Sequence, residues 1–282
     1  MKNPFIQHLM AMIDRDNKAR ILKKIHGLVV DLDGVLHVGT EPVESLPAFL
    51  DFLDRRAIWT TYVTNNSTLT PEALAERLSD FGVDTGSSQI ITSATATARY
   101  LSSEFPNGGS VLVVGEGGLI QAVKSVGFEI GDSKPKAVAV GLDRQINYQK
   151  ISNAASAIFA GASFIACNID SGALTAGGIS PGAGAMVAAI QAVVQVAPVV
   201  IGKPEPTMFL EAADRMGLKP DECAAIGDRL DIDIACAESA GMLGILVLSG
   251  MTKLDRLQDS PHRPDLVYAD IGEMVSCWET IF

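Results

Sequence analysis

The sequence contains little of what several classes of protein require. Its four cysteines are scattered and form no C-x-x-C pair, which argues against a disulfide framework or a cysteine zinc site. Lys and Arg number 22 against 33 Asp and Glu, and this excess of negative charge argues against general binding to nucleic acid or to anionic membranes. No uninterrupted, uncharged apolar run of about 18 residues is present. We therefore expect a cytoplasmic protein with reduced thiols that binds neither nucleic acid nor membrane.

The composition is that of a globular protein. Of the 282 residues, 48% are hydrophobic and 20% are charged, and the length allows one or two domains. The first 27 residues distribute charges among their apolar positions. They therefore predict a helix packed on the body of the protein rather than a signal peptide.

Short β-branched runs alternate with longer helical segments along most of the chain. GLVVDLD and IWTTYVTNN are predicted strands, and TPEALAERLSDFG has the start and the closing glycine of a helix. Such alternation favours βαβ units, in which a parallel sheet carries helices on both faces. We predict an α/β fold with a Rossmann-like, doubly wound parallel sheet.

The middle of the chain is predicted to be an inserted module. The turn cluster FPNGGS ends the first set of strands and helices, a second set follows, and the first kind of pattern resumes at PVVIGKPEP. This predicts a core formed by residues 1–105 and 197–282, interrupted by a smaller α/β cap domain at 106–196. Two domains in tandem would give the same alternation. The insertion is preferred because polar strand ends on both sides of the middle segment look like parts of one site.

Four predicted strands end in residues suited to a metal or a phosphate. They are Asp31-Leu32-Asp33-Gly34, Thr64-Asn65-Asn66, Gly202-Lys203-Pro204, and Gly227-Asp228 with Asp231 and Asp233 just beyond. Each one alone could be a turn, because Asp and Asn commonly form turns. In an open parallel sheet, however, ligands bind beyond the carboxyl ends of the strands, and four such ends together predict one site.

The residue types in this set favour phosphate chemistry. Several carboxylates without a His or Cys cluster form a hard oxygen site that suits Mg²⁺. Lys203 supplies a positive charge and Thr64 and Asn65 supply neutral donors, as a phosphate requires. With Mg²⁺ screening the phosphate, an Asp carboxylate can be phosphorylated and later hydrolysed. Asp33 can then exchange a proton with the leaving oxygen.

The ordered set DLDGV, TNN, GKPEP and GDRLDID resembles the haloacid dehalogenase superfamily of phosphatases. More narrowly, the chain is similar to the nitrophenylphosphatase and nucleotide-monophosphatase branch, which carries a large α/β cap. The resemblance extends from about Gly27 to Val267 and includes FIACNIDSGALTAGGISPGAGA of the predicted cap. It implies a Mg²⁺-dependent phosphatase that acts on small phosphomonoesters through an aspartyl-phosphate. The acid at Asp33 separates phosphatases and phosphomutases from the dehalogenases proper and from the ion-pumping ATPases.

The resemblance also implies roles for individual residues. Asp31 is the expected nucleophile and metal ligand, and Asp33 is the general acid/base whose backbone carbonyl also binds the metal. Thr64 and Asn65 are expected to bind the phosphoryl group, and Lys203 is expected to bridge the phosphate and the nucleophile. Asp228 is expected to be a metal ligand. Asp233 is expected to hold a metal-bound water without contacting the metal itself. Asp231 occupies a variable position, and His37 stands where relatives often have an aromatic residue.

Several alternatives remain open at this point. A phosphomutase or phosphotransferase would use the same aspartyl-phosphate, and a non-catalytic protein could bind a phosphorylated ligand at the same residues. Asn168 and Asp170 are read either as a turn or as a cap element that recognises the leaving group. The expected partner is a small phosphorylated metabolite, and two copies could associate through the cap. VVGEGG, PGAGA and GKP complete neither a dinucleotide fingerprint nor a P-loop.

Overall fold

The computed structural model describes residues 22–175 and 178–281, and the side chains of residues 173–179 are not described. The helix predicted within residues 1–27 therefore lies largely outside the described residues. The described chain forms two compact units. The first contains residues 22–63, 81–83 and 209–281, and the second contains residues 64–80 and 84–208 apart from the undescribed pair.

The elements alternate between strand and helix, as the sequence predicts. The strands are β1 Gly27–Val30, β2 His37–Val38, β3 Glu41–Pro42, β4 Trp59–Thr64, β5 Ile90–Thr92, β6 Ser110–Val114, β7 Glu129–Ile130, β8 Ala137–Val140, β9 Ser163–Ala166, β10 Gly172–Thr175, β11 Gly178–Pro181, β12 Val199–Val200, β13 Cys223–Gly227, β14 Leu243–Val247 and β15 Leu266–Tyr268. The α-helices are α1 Leu46–Arg56, α2 Pro71–Asp80, α3 Ser93–Glu104, α4 Gly117–Ser125, α5 Tyr148–Phe159, α6 Ala183–Val194, α7 Thr207–Met216, α8 Ala235–Ala240 and α9 Ile271–Glu279.

The first unit is built on a parallel sheet. Strands β15, β14, β13, β1 and β4 lie side by side in that order, and every neighbouring pair is parallel. All four residues of β1 and all five of β13 are buried. Central strands of a parallel sheet are covered on both faces, which is why GLVV and CAAIG are continuous apolar runs without alternation.

The first unit also contains a short antiparallel hairpin directly after β1. In this hairpin β2 pairs with β3, and His37 lies opposite Pro42. Helix α1 begins soon after it, with a proline in its first turn, and ends at Ala57 in the left-handed conformation. Its buried residues include Phe49 and Phe52, and Phe52 packs edge-on against Trp278 of α9 with ring centroids 6.1 Å apart.

The second unit has its own parallel sheet, in the order β12-β9-β8-β6-β7. Its core joins residues of β6, β8 and β9 to the buried faces of α5 and α6. An antiparallel hairpin of β10 and β11 precedes α6. The predicted insertion at 106–196 lies within this unit, and its exact boundaries stay a prediction.

One strand belongs to a different sheet from the one that we expected. The sequence placed the strand before Lys203 beside the strands that precede Asp31 and Asp228. In the structure β12 instead pairs with β9, Val199 opposite Ile165 and Val200 opposite Ala166. A two-residue strand carries no periodicity of its own, and so only the tertiary pairing decides which sheet it joins.

None of the four cysteines forms a disulfide, and Cys167, Cys223 and Cys236 are buried. Burial raises the pKa of the Cys167 thiol to about 12 and that of Cys223 to about 11. The thiolate is the reactive form, so at about pH 8 neither of these two should react with a thiol reagent in the folded protein. A chromogenic disulfide reagent is expected to titrate them only after unfolding. Rapid modification of either one in the native state would contradict this.

No helix of the described residues combines the length and apolarity that a membrane span needs.

Candidate active site

Asp31 lies directly after β1, at the carboxyl edge of the first sheet. Its N–H continues the strand pairing by donating to Ile226 O of β13 at 2.9 Å. The residue is 9% exposed, so its carboxylate is largely shielded from solvent. The chain turns immediately afterwards at Gly34, which has a φ of +82°. This positive φ favours glycine at that position.

Asp228 is the first residue after β13, the strand next to β1. Its Oδ2 accepts a 2.6 Å hydrogen bond from Met251 N, and its carbonyl accepts one from Thr252 N at 3.2 Å. A Cβ at Gly34 would lie 2.4 Å from Asp228 Oδ2, and one at Gly250 would lie 2.0 Å from the same atom. Only residues without a Cβ leave room for the carboxylate of Asp228 in this position.

Asp233 is brought to the same strand end by the turn that follows β13. Residues Leu230–Ile234 form a single π-helical turn, and this wider geometry often occurs at functional sites. Arg229 N donates to Asp233 Oδ2 at 3.0 Å. A Cβ at Gly227 would lie 2.1 Å from Asp233 Cβ, so this glycine allows the turn to pack closely on the strand.

The three carboxylates form one buried cluster. Asp31, Asp228 and Asp233 each offer an oxygen, and these oxygens lie within 4.8 Å of one another. All three residues are buried. Like charges this close in a poorly solvated place repel one another, and a bound divalent cation would remove this cost. Hard carboxylate oxygens are the donors that Mg²⁺ or Ca²⁺ prefers, and so the residues present fit such a metal.

Asp33 lies on the other side of the turn. Its carboxylate is 71% exposed, and Oδ1 lies 3.6 Å from Nδ1 of His37. A β-bridge joins the two residues, and Gly34 N donates to His37 O at 2.7 Å. The His37 ring is buried and packs against Phe81 at a centroid distance of 5.4 Å. The two acids of the DLDG motif therefore lie in different environments, with Asp31 in the cluster and Asp33 at the surface.

Asp231 lies apart from the cluster in the described structure. Its side chain is 69% exposed and forms an ion pair with Arg229, whose Nη2 lies 2.9 Å from Asp231 Oδ2.

Thr64 ends β4 and belongs to the second unit. It is 3% exposed, and its Oγ1 accepts a 3.1 Å hydrogen bond from Asn66 N. A hydroxyl group can accept and donate at the same time, so this hydrogen bond is compatible with donation by Thr64 to a ligand. Asn66 shapes the loop, since its Oδ1 accepts from both Thr68 N and Leu69 N.

The remaining predicted residues of the second unit meet around Asn65. Its Nδ2 donates to Asp170 Oδ2 and to Lys203 O, both at 3.0 Å, and its carbonyl accepts from Asn168 Nδ2 at 2.7 Å. Lys203 is 2% exposed and is among the largest fully buried side chains of the described protein. The sequence predicts Asn65 as a neutral donor to phosphate, and both hydrogens of its side-chain amide are used within the protein, which leaves its backbone N–H for that role.

Two contacts of the predicted residues, one in each unit, were missed by the sequence reasoning. One is Ser93, whose Oγ donates to Asn65 O at 2.8 Å. The other is the segment after β14, where Ser249 Oγ donates to Gly34 O at 2.7 Å and Gly250 and Met251 contact Asp228. The expectation that ligands bind beyond strand ends applies to β14 as well, and it could have identified this segment.

Comparison with known proteins gives consistent matches over most of the chain. Residues 28–129 match the model of a haloacid dehalogenase-like hydrolase family, and residues 200–274 match one described as HAD-hydrolase-like. The acid sugar phosphatase of Staphylococcus aureus is 35% identical over 256 residues, which cover 90% of this chain and 98% of that protein.

Solved structures agree with these matches. The 4-nitrophenylphosphatase from Thermotoga maritima superposes with a TM-score of 0.87 at 28% identity, covering 91% of this chain and 98% of that one. The glycerol phosphate phosphatase from Mycobacterium tuberculosis, solved in complex with calcium, has a TM-score of 0.82 at 31% identity and covers 90% of this chain and 76% of that one.

Proposed function

Because the chain belongs to the haloacid dehalogenase-like hydrolase family, we propose that this phosphatase uses Mg²⁺ and an aspartyl-phosphate on Asp31 to hydrolyse small phosphorylated metabolites. The observation that carries the proposal is the buried cluster of Asp31, Asp228 and Asp233, with its oxygens within 4.8 Å of one another. Sugar phosphates are the first class to test, because the S. aureus relative is an acid sugar phosphatase.

The cluster has the properties expected of a Mg²⁺ site. Under the proposal the carboxylates of Asp31 and Asp228 and the backbone carbonyl of Asp33 would be the protein ligands of the ion, and Asp233 would hold a water beside it. When bound, Mg²⁺ supplies positive charge that reduces the repulsion between the phosphoryl oxygens and the carboxylates.

Asp31 and Asp33 divide the covalent chemistry in the proposed reaction. A carboxylate oxygen of Asp31 forms a bond to phosphorus as the bond from phosphorus to the leaving oxygen breaks, and Asp33 gives its proton to that oxygen. Asp33 then takes a proton from a water that attacks the phosphorus, which releases inorganic phosphate and restores the Asp31 carboxylate. The difference in exposure supports this division, since Asp33 reaches solvent and Asp31 does not.

Thr64, Asn65 and Lys203 are proposed to bind the phosphoryl group. Thr64 donates its hydroxyl hydrogen, and Lys203 supplies a positive charge. Both amide hydrogens of the Asn65 side chain are bonded within the protein. Asn65 is therefore proposed to bind the phosphate through its backbone N–H. Donors placed where charge develops are usually the largest contribution to catalysis.

The test is phosphate release from a panel of phosphomonoesters. The purified protein with Mg²⁺ is expected to release inorganic phosphate from several sugar phosphates and from 4-nitrophenyl phosphate, without a sugar bisphosphate being added. A phosphomutase would instead require the bisphosphate and would convert one phosphate ester into another. Absence of phosphate release across the panel would overturn the proposal.

Removal of divalent metal ions is expected to abolish activity. EDTA should stop phosphate release and added Mg²⁺ should restore it, because three buried carboxylates would otherwise repel the phosphate. The same addition should raise the melting temperature of the free protein, since the ion binds the folded cluster and not the unfolded chain. Scanning calorimetry in EDTA and in Mg²⁺ measures this second effect. An unchanged rate in EDTA would contradict the metal requirement.

A further inference from the structure

Asn65 is the centre of a hydrogen-bonded network in the second unit. Its carbonyl accepts from Ser93 Oγ at 2.8 Å and from Asn168 Nδ2 at 2.7 Å. Its Nδ2 donates to Asp170 Oδ2 and to Lys203 O, both at 3.0 Å. An amide nitrogen carries two hydrogens, so these two acceptors fix the orientation of the side chain.

Asp170 is itself held in place by the backbone around it. Its N–H donates to Asn168 Oδ1 at 3.1 Å, and its carbonyl accepts from Gly184 N at 2.8 Å. Asn168 is 3% exposed and so has little freedom to move. The carboxylate of Asp170 is therefore presented to Asn65 from a fixed backbone.

The backbone that carries Lys203 packs tightly on the same amide. A Cβ at Gly202 would lie 2.6 Å from Asn65 Oδ1 and 2.4 Å from Cys167 O. Gly202 N also donates to Cys167 O at 2.7 Å. With Lys203 O bonded to Asn65 Nδ2, a change in the orientation of that amide removes a hydrogen bond that holds the segment carrying Lys203.

We propose that Asp170 is a positioning residue that acts through the Asn65 amide to hold Lys203. The inference rests on the proposed function, because the phosphoryl-binding role of Lys203 gives the network its catalytic consequence. Asp170 accepts one hydrogen of the Asn65 amide, and the other hydrogen is thereby directed to Lys203 O. A bond to an ionised acceptor is stronger than one between neutral groups, which suits a residue that orients another.

A positioning role and a substrate-recognition role differ in how the loss of activity on replacing Asp170 depends on the leaving group. A residue that contacts the leaving group affects substrates unequally when it is replaced, because they differ in that part. A residue that holds Lys203 affects every substrate by the same factor, since Lys203 is assigned to the phosphoryl group that all substrates share.

The experiment compares Asp170→Ala with Asp170→Asn on the phosphomonoester panel. Asn keeps an oxygen that can accept from Asn65, and Ala removes it. We expect kcat/KM of Asp170→Ala to fall by about 10- to 100-fold, by the same factor for all substrates, since small misplacements of catalytic groups cost rates of this order. Asp170→Asn should stay within about threefold of wild type. Melting curves identify variants that do not fold. If Asp170→Ala does not fold, Asp170→Leu takes its place, because Leu is similar in size to Asp and has no hydrogen-bond acceptor.

A second measurement tests whether the effect passes through Lys203. In a Lys203→Ala background, Asp170→Ala should cause no further loss, because the group that it positions is absent. Losses that multiply in the double variant would overturn the inference.

The remaining outcomes are distinguishable. Losses that vary with the leaving group, and that Asp170→Asn does not rescue, would assign Asp170 to substrate recognition and overturn the inference. Wild-type rates in all Asp170 variants would overturn it as well. No hydrolysis by the wild-type protein would overturn the proposed function, and this inference with it.

Discussion

Replacing Asp31 by Asn is expected to lower kcat by at least about 10³-fold, which is the scale of removing a catalytic nucleophile. The amide has nearly the same shape as the carboxylate but has no charged oxygen to attack phosphorus. Rapid quenching with a substrate labelled in its phosphoryl group should detect an acid-stable label on the wild-type protein and none on the variant. A label of equal yield on Asp31→Asn would assign the covalent step to another residue.

The matched control for this substitution is Asp231→Asn. Asp231 lies in the motif that also contains Asp228 and Asp233, but its carboxylate is exposed and paired with Arg229. The same chemical change at this position should leave kcat within about twofold of wild type, because exposed ion pairs contribute little.

The two variants should also differ in stability. Asp31→Asn removes one of three clustered buried charges, so its melting temperature in EDTA should exceed that of wild type.

Replacing Gly250 by Ala is expected to lower kcat/KM by about 100-fold without any change to a chemical group of the site. The added Cβ would lie 2.0 Å from Oδ2, 2.6 Å from Cγ and 2.7 Å from Cβ of Asp228. The Cβ of Asp228 is fixed by its backbone and no side-chain rotation moves it, so the backbone of one of the two residues must shift and the carboxylate is displaced. Its 2.6 Å hydrogen bond from Met251 N would then break. Higher Mg²⁺ concentrations should be needed for half-maximal activity, which a metal titration measures.

Gly244→Ala is the control for Gly250→Ala. Gly244 lies in β14, the strand that precedes Gly250, and a Cβ there would meet its nearest neighbour, Ala237 Cβ, at an ordinary 3.5 Å. This variant should keep the wild-type rate and the wild-type Mg²⁺ dependence. If both glycine variants behaved alike, general disturbance of the sheet edge would explain the loss, and displacement of Asp228 would not.

Much of the fold follows from patterns that are local in the sequence. Continuous apolar runs such as GLVV and CAAIG predict strands buried on both faces, and the structure places them as the neighbours β1 and β13. Because these strands are parallel, the acids that follow them, Asp31 and Asp228, meet at one edge. The prediction of an α/β fold with parallel sheets is confirmed, as is the resemblance to the haloacid dehalogenase phosphatases.

Other features could not be read from the sequence, because they depend on contacts between distant segments. The strand β12 has two residues, and its membership of the second sheet depends on its pairing with β9. The side-chain amide of Asn65 donates to acceptors that lie 105 and 138 residues away in the chain. The assignment of particular substrates and the association of two copies stay predictions.

The sequence by itself determined the fold class and the family, because these depend on residue types and on short-range periodicity, and it predicted the acidic residues of the site. The tertiary structure decided which acids share a buried cluster and which lie apart. It gathers Asp31, Asp228 and Asp233, leaves Asp33 and Asp231 exposed, and packs Gly250 against the side chain of Asp228. Distances of a few ångströms between segments about 200 residues apart are set by packing, and no local pattern in the chain records them.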